Sequence, residues 1–246
     1  VRDIARTGVA LSASETVNRF GSANAEFVKG YTGIDNETGQ KFAKGLAGIA
    51  KNKVHPDYKE ANIKQQAGYS AEVATTSRDN AEAIIQRSKA RTMRSDDVPQ
   101  YGKNHSVVDR VQVFNGEIIE GSQAQMKFVG NRNNLFEKIA GENKKGDSDL
   151  SRYRGVKLEL PSEQYEGARQ YCHEEAKKLR EQATQVEQHG KSDMAAKMRR
   201  EADNYDQLAD NVRDSGMTTE DAIFYRKHPE LATARDIART SHRAGM

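Results

Sequence analysis

The sequence predicts an α+β protein, in which a small mixed sheet with flanking helices is followed by a long C-terminal antiparallel helical hairpin. Three observations predict it. His105 to Val129 is the only long stretch whose apolar residues alternate rather than recur every three or four positions. Two later runs recur at helical spacing: Tyr165, Ala168, Cys172, Ala176, Leu179, Ala183 and Val186, then Met194, Met198, Ala202, Tyr205, Leu208 and Val212. Finally, 35% of the 246 residues are hydrophobic and 30% charged, so much of the chain must be solvated helix surface around a thin core. The expected parts are an N-terminal helical segment over 1–55, a core over 56–161, and the helical hairpin with terminal helices over 162–246.

In order, Ser12 to Glu15 are spaced as a capping box, opening a helix through Val17, Phe20, Phe27 and Val28. The stretch 30–39 reads as a loop, and a short helix then carries Phe42, Leu46 and Ile49 on one side. Pro56 suits the first turn of a helix that turns Tyr58, Ile63, Ala67, Ala71 and Ala74 inward. Ser77 or Asp79 is expected to cap a separate helix running to Arg94, ended by Asp96-Asp97-Val98-Pro99. Beyond the alternating stretch, Asn131 to Ile139 is a short helix and Gly155 to Leu160 a strand stopped by Pro161. His189-Gly190 joins the two arms of the hairpin, the second arm reaching Asp214. Thr218 or Thr219 caps a further helix, and Pro229 starts the last. RDIART at Arg235 to Thr240 repeats the RDIART at Arg2 to Thr7, which is too short to define a duplicated domain.

The alternating stretch reads as a β-hairpin. Val107, Val111 and Val113 share a face of the first arm, Ala124, Met126 and Phe128 a face of the second, and Asn115-Gly116 supplies the turn. Gln125 and Lys127, two apart, share a strand face, and Asp109 lies one strand earlier. A strict two-residue turn pairs Val113 with Ile118 and puts Asp109 on the wrong face. A turn looped over Phe114-Asn115-Gly116 corrects the face but leaves Asp109 roughly 13 Å from the level of Gln125, with a kink expected at Gly121.

An acid on one strand followed by glutamine, any residue and lysine on the next resembles the PD-(D/E)XK nuclease superfamily in its Mrr-like form. The resemblance covers about Ile63 to Leu160, and implies a restriction-endonuclease-like core. It implies that Asp109, Gln125 and a helix acid, Glu72, hold Mg²⁺ or Mn²⁺, and that Lys127 completes the catalytic set by serving the attacking water. Val108 stands where the motif has proline, Gln125 replaces the commoner acid, and the strand usually found between the acidic helix and the aspartate is not legible. The resemblance implies a DNA endonuclease of restriction, phage defence or toxin type. Rival readings are a non-enzymatic helical interaction protein and a DNA-binding module without chemistry.

A net charge of only +3 makes any nucleic-acid site a local patch. Arg87, Lys89, Arg91 and Arg94, with Lys103 and Arg110, are the candidate phosphate contacts. The lone Cys172 excludes an intrachain disulfide and a cysteine-rich zinc site and fits a reducing, cytoplasmic compartment. At its seam position it reads as packing and not as a nucleophile. His55, His105 and His228 lack the spacing of metal ligands. No segment approaches the ~20 apolar residues of a membrane span. Self-association through the C-terminal helices is expected. The chain opens without methionine and stops without a polar tail, so it reads as a piece of something longer.

Overall fold

Two positions that read as caps in the sequence, Ser77 and Asp79, instead lie inside one long helix. The computed structural model describes the backbone of residues 2–245 and side chains over 13–245. In chain order it contains α1 (Arg2–Thr32), α2 (Leu46–Ala50), α3 (Lys59–Ile85), β1 (Arg91–Arg94), β2 (Arg110–Phe114), β3 (Glu117–Ile118) and β4 (Ala124–Met126). There follow α4 (Arg132–Ala140), β5 (Lys157–Leu160), α5 (Ser162–Tyr165), α6 (Ala168–Gln188), α7 (Ser192–Asn211), β6 (Val212–Asp214), α8 (Thr219–Lys227) and α9 (Pro229–Arg243). Packing groups these into two compact units that interleave in sequence. The first takes in Val1–Asn104, Arg110–Ile119 and Glu220–Met246, the second His105–Asp109 and Glu120–Thr219. Among the described residues no helix is long and apolar enough to cross a membrane.

In the first unit α3 runs unbroken through Ser77 and Asp79, correcting the expectation of two helices. The Thr75 and Thr76 hydroxyls donate back to the Ala71 and Glu72 carbonyls, both at 2.7 Å, so they are satisfied within the helix and do not stop it. What stops it is Arg87, at φ 60, with the Ser88 N–H on the Ala83 carbonyl and the Arg87 N–H on that of Ile84. Arg91 and Arg94 therefore lie on a strand and not on a helix end. β1 pairs antiparallel with β2, Arg91 opposite Val113 and Arg94 opposite Arg110. β2 pairs antiparallel with β3 through a strict two-residue turn, Val113 opposite Ile118, with Asn115 at φ 52 and Gly116 at φ 77. The three-residue loop is thus replaced by the tighter turn that a left-handed Asn-Gly pair favours. Tyr58, expected inward, is 64% exposed in the short turn Pro56–Tyr58, ahead of α3. α1 is already helical from Arg2, so the Ser12 cap is not its start, and the Ser12 side chain lies outside the described residues.

The second unit is built on parallel pairing. β4 pairs with β5, Gln125 opposite Leu158, and β5 with β6, Leu158 opposite Val212. Parallel neighbours require a crossover, and α4, capped by the Asn131 side chain accepting the Asn134 N–H at 3.0 Å, provides the one between β4 and β5. α6 and α7 provide the one between β5 and β6, joined by a turn in which the Lys191 N–H reaches the Val186 carbonyl at 3.0 Å beside Gly190 at φ 77. Antiparallel pairs in one unit and parallel pairs in the other make the pairings mixed, in an α+β protein.

The core of this unit gathers Leu135, Phe136 and Ile139 with Leu158 and Leu160, and Cys172 and Ala176 with Ala202, Tyr205, Leu208 and Val212. Most of the two seams read from the sequence faces this interior, but Met194 is exposed, Val212 belongs to a strand, and α7 ends at Asn211. Cys172 is fully buried, which pushes its thiol up to about 12 and leaves it unreactive. Leu208→Ala, which opens a void in this cluster, is expected to lower the unfolding free energy by about 2–5 kcal/mol in urea denaturation. A midpoint equal to the parent's would show that α7 does not pack as described.

Candidate functional site

Asp109 and Gln125 meet at the backbone of one residue, Met126. The second arm of the alternating stretch breaks after β3, and the chain turns at Gly121, φ 85, before β4 begins. This excursion brings Asp109 beside β4 instead of the expected four positions away. Its N–H donates to the Ala124 carbonyl at 2.8 Å, and its Oδ2 accepts the Met126 N–H at 3.0 Å. The Gln125 amide, with the residue 5% exposed, donates Nε2 to the Met126 carbonyl at 3.3 Å. A carboxylate and a carboxamide thus hold the two ends of the residue between Gln125 and Lys127.

Lys127 continues the β4–β5 ladder, its N–H on the Glu159 carbonyl at 3.0 Å. Two residues from Gln125, it shares that residue's strand face. Its Nζ lies 4.8 Å from the centre of the buried Tyr153 ring, a cation–π contact that steadies the ammonium without neutralising it. Asp109 and Lys127 are half-buried.

Glu72 lies in the first unit, on α3, and its Oε2 accepts from Arg94 at 2.7 Å. Arg94 is 5% exposed, with Nε and Nη1 buried and without a hydrogen-bond partner. Arg110 is 6% exposed, its Nη2 on Asp79 at 2.7 Å and its Nη1 on the Thr75 hydroxyl at 3.0 Å. Burial therefore removes Arg94 and Arg110 from the exposed basic face expected of them: a buried guanidinium must find a carboxylate, and α3 supplies one to each. Of the others, Lys89 and Lys103 are exposed, Arg87 is exposed and reaches Glu15 at 3.4 Å, and Arg91 turns back onto the Ser88 and Ala90 carbonyls.

Sequence reasoning passed over Asp96, which adds to the Arg94 pair. Its Oδ2 lies 3.4 Å from Arg94 and 3.6 Å from Lys44, and its Oδ1 accepts the Asn104 N–H at 2.8 Å. Burial pushes this carboxyl up, but the Asn104 bond and the two cations outweigh burial and hold it below the usual carboxylate range. The Arg-Ser-Asp-Asp spacing at 94–97 was the available signal.

For a divalent cation the donors around Met126 are of the right type. The Asp109 carboxylate, the Gln125 amide oxygen once the amide turns over, and the Met126 carbonyl are hard oxygens suited to Mg²⁺ or Mn²⁺, with one formal negative charge among them. No cluster of three or more His, Cys, Asp or Glu side chains suited to a metal occurs among the described residues. No family model, curated protein or solved structure matches this chain.

The Asp96 carboxylate makes stability depend on acid in a definite direction. With its pKa lower folded than unfolded, its contribution is complete above the unfolded value of about 3.9 and is lost as pH falls through the folded value. Compared with Asp96→Asn, the parent protein should show extra stability at neutral pH that shrinks below about pH 4. Parallel stability curves for the two proteins through that range would rule out this role for Asp96.

Proposed function

We infer that this chain is a metal-dependent DNA endonuclease of the PD-(D/E)XK type, in its glutamine-x-lysine form, acting in restriction, phage defence or as a toxin. The observation that carries the reading is the meeting of Asp109 and Gln125 at the Met126 backbone, with Lys127 next along the chain. The order of elements supports it. An acidic helix, α3, is followed by β1, β2, β4, α4 and β5, with β4 and β5 parallel, and β1 supplies the strand that the sequence did not reveal between the helix and Asp109. Restriction-endonuclease-like is the core this reading implies, with α6 and α7 as the C-terminal antiparallel helical hairpin.

In this reading Asp109, Gln125 and the Met126 carbonyl hold Mg²⁺ or Mn²⁺, which supplies Lewis-acid polarisation of the scissile phosphate. Lys127 holds the attacking water by hydrogen bond and offsets the negative charge that develops on the phosphoryl oxygens. Its ammonium has no carboxylate partner within ion-pair distance among the described residues, which leaves its charge for that task. Glu72 adds little while its carboxylate holds Arg94. Lys89, Lys103 and Arg87 remain as DNA contacts, and the proposed compartment is the cytoplasm. Self-association through α6 and α7 would have to use their polar faces and Met194, 45% exposed, because most of the other seam residues are consumed inside the second unit.

The rival reading, an interaction protein without chemistry, has its own support: Asp109 and Glu72 each already satisfy a structural donor. Cleavage of supercoiled plasmid under single-turnover conditions in Mg²⁺ or Mn²⁺ separates the two. Lys127→Ala is expected to slow it by about a hundredfold or more. Asp109→Asn, which keeps an acceptor for the Met126 N–H, is expected to abolish cleavage with little change in melting temperature. Parent-like cutting by Lys127→Ala would hand the chain to the rival reading.

A further inference from the structure

The repeated RDIART string is left without a role by the site around Met126. In its second copy, within α9, Arg235 and Arg239 are four residues apart and share a helix face. With Arg78 of α3 and with Phe224, Tyr225 and Asp221 of α8 they line a cleft of about 340 Å³ within the first unit. Three guanidiniums thus share one wall with a single acid.

Each guanidinium is held by a different device. The Asp236 carboxylate, itself in the repeat and 6% exposed, accepts from Arg239 on one oxygen and from the Tyr225 hydroxyl, at 2.5 Å, on the other. Tyr225 is buried, which with the neighbouring carboxylate pushes its hydroxyl up to about 12, so it keeps its proton for that bond. Arg78 Nη2 reaches the same hydroxyl oxygen at 3.5 Å. Arg235 stacks 4.7 Å from the centre of the Phe224 ring and forms no salt bridge among the described residues. Asp236 sits behind the wall, while the Arg239 side chain keeps 64% of its surface exposed.

Guanidinium forks match the oxygens of a phosphate two at a time, and forks already held in place lose little freedom on binding. Arg235 and Arg239 are displaced by about 6 Å along the helix axis, so they offer a chain of phosphates two successive footholds. We propose that this cleft, through Arg78, Arg235 and Arg239, grips the phosphate backbone of a nucleic acid. The proposal shares its nucleic-acid partner with the nuclease reading and is independent of its chemistry. The first RDIART copy lies on α1, with its side chains outside the described residues.

The test is the fluorescence anisotropy of a short labelled DNA duplex, in EDTA, over roughly 50–200 mM KCl. Arg235→Gln/Arg239→Gln should weaken binding about tenfold or more and flatten the log–log salt slope by about 0.9 for each phosphate no longer neutralised. Arg235→Gln alone should produce about half that change in slope, and Arg235→Lys should restore it. Because Arg235 stacks on the Phe224 ring and forms no salt bridge among the described residues, the single variant decides the matter if the double variant fails to fold. Lys64→Gln, which removes an exposed charge elsewhere on α3, should behave as the parent does. A double variant with parent-like affinity and slope, or a parent that takes up inorganic phosphate in calorimetry but no duplex, overturns the proposal. Intact duplex binding without cleavage in Mg²⁺ sinks the nuclease reading alone and leaves the cleft standing.

Discussion

The first unit depends on a polar stripe along α3 that runs beside its buried apolar residues. Glu72, Thr75, Thr76, Asp79 and Asn80 recur at three-four spacing and face the first two strands. Asn80 acts as a substitute strand, its Oδ1 accepting the Thr92 N–H at 2.7 Å and its Nδ2 donating to the Thr92 carbonyl at 2.9 Å. Glu72 and Asp79 neutralise Arg94 and Arg110, which project from adjacent strands at paired positions. A backbone edge must have its hydrogen bonds satisfied, and a buried guanidinium must have its charge matched, so these groups fix the register of the helix against the strands.

The same stripe explains why acids and arginines that look available for chemistry are not equally so. A carboxylate bound to a buried arginine is costly to free, because releasing it leaves two uncompensated charges in a poor solvent for either. Asp109 stands differently. One of its oxygens accepts a neutral backbone N–H at the end of β4, and an amide can share an acceptor with a cation more readily than a guanidinium can give one up. That contrast places the weight of the functional reading on the residues around Met126.

Charge in this chain is distributed by burial more than by number. The basic run at 87–94 loses Arg94 to the interior and Arg91 to backbone carbonyls, while Arg78, far in sequence from Arg235 and Arg239, comes to share one wall with them. Their supports are a buried tyrosine, a buried aspartate and an aromatic face, each fixing an orientation and not merely supplying attraction.

By itself the sequence determined whatever depends on neighbours close along the chain. The Asn115-Gly116 turn, the Asn131 cap of α4, the strand ended by Pro161, the start of α9 at Pro229 and the inward seams of α6 and α7 all follow from local sterics and periodicity. Asp109, Gln125 and Lys127 were legible as a group because alternation on strands exposes spacing directly. Only the tertiary structure decided the rest. Whether Ser77 and Asp79 cap or continue a helix depends on what else their neighbours and side chains find to bond, as Asp79 finds Arg110. Arg91–Arg94 becomes a strand because β2 and Asn80 pair its backbone, and Val212–Asp214 because β5 does. The fates of Glu72, Arg94 and Arg110 turned on partners more than twenty residues distant, whose proximity no local pattern encodes.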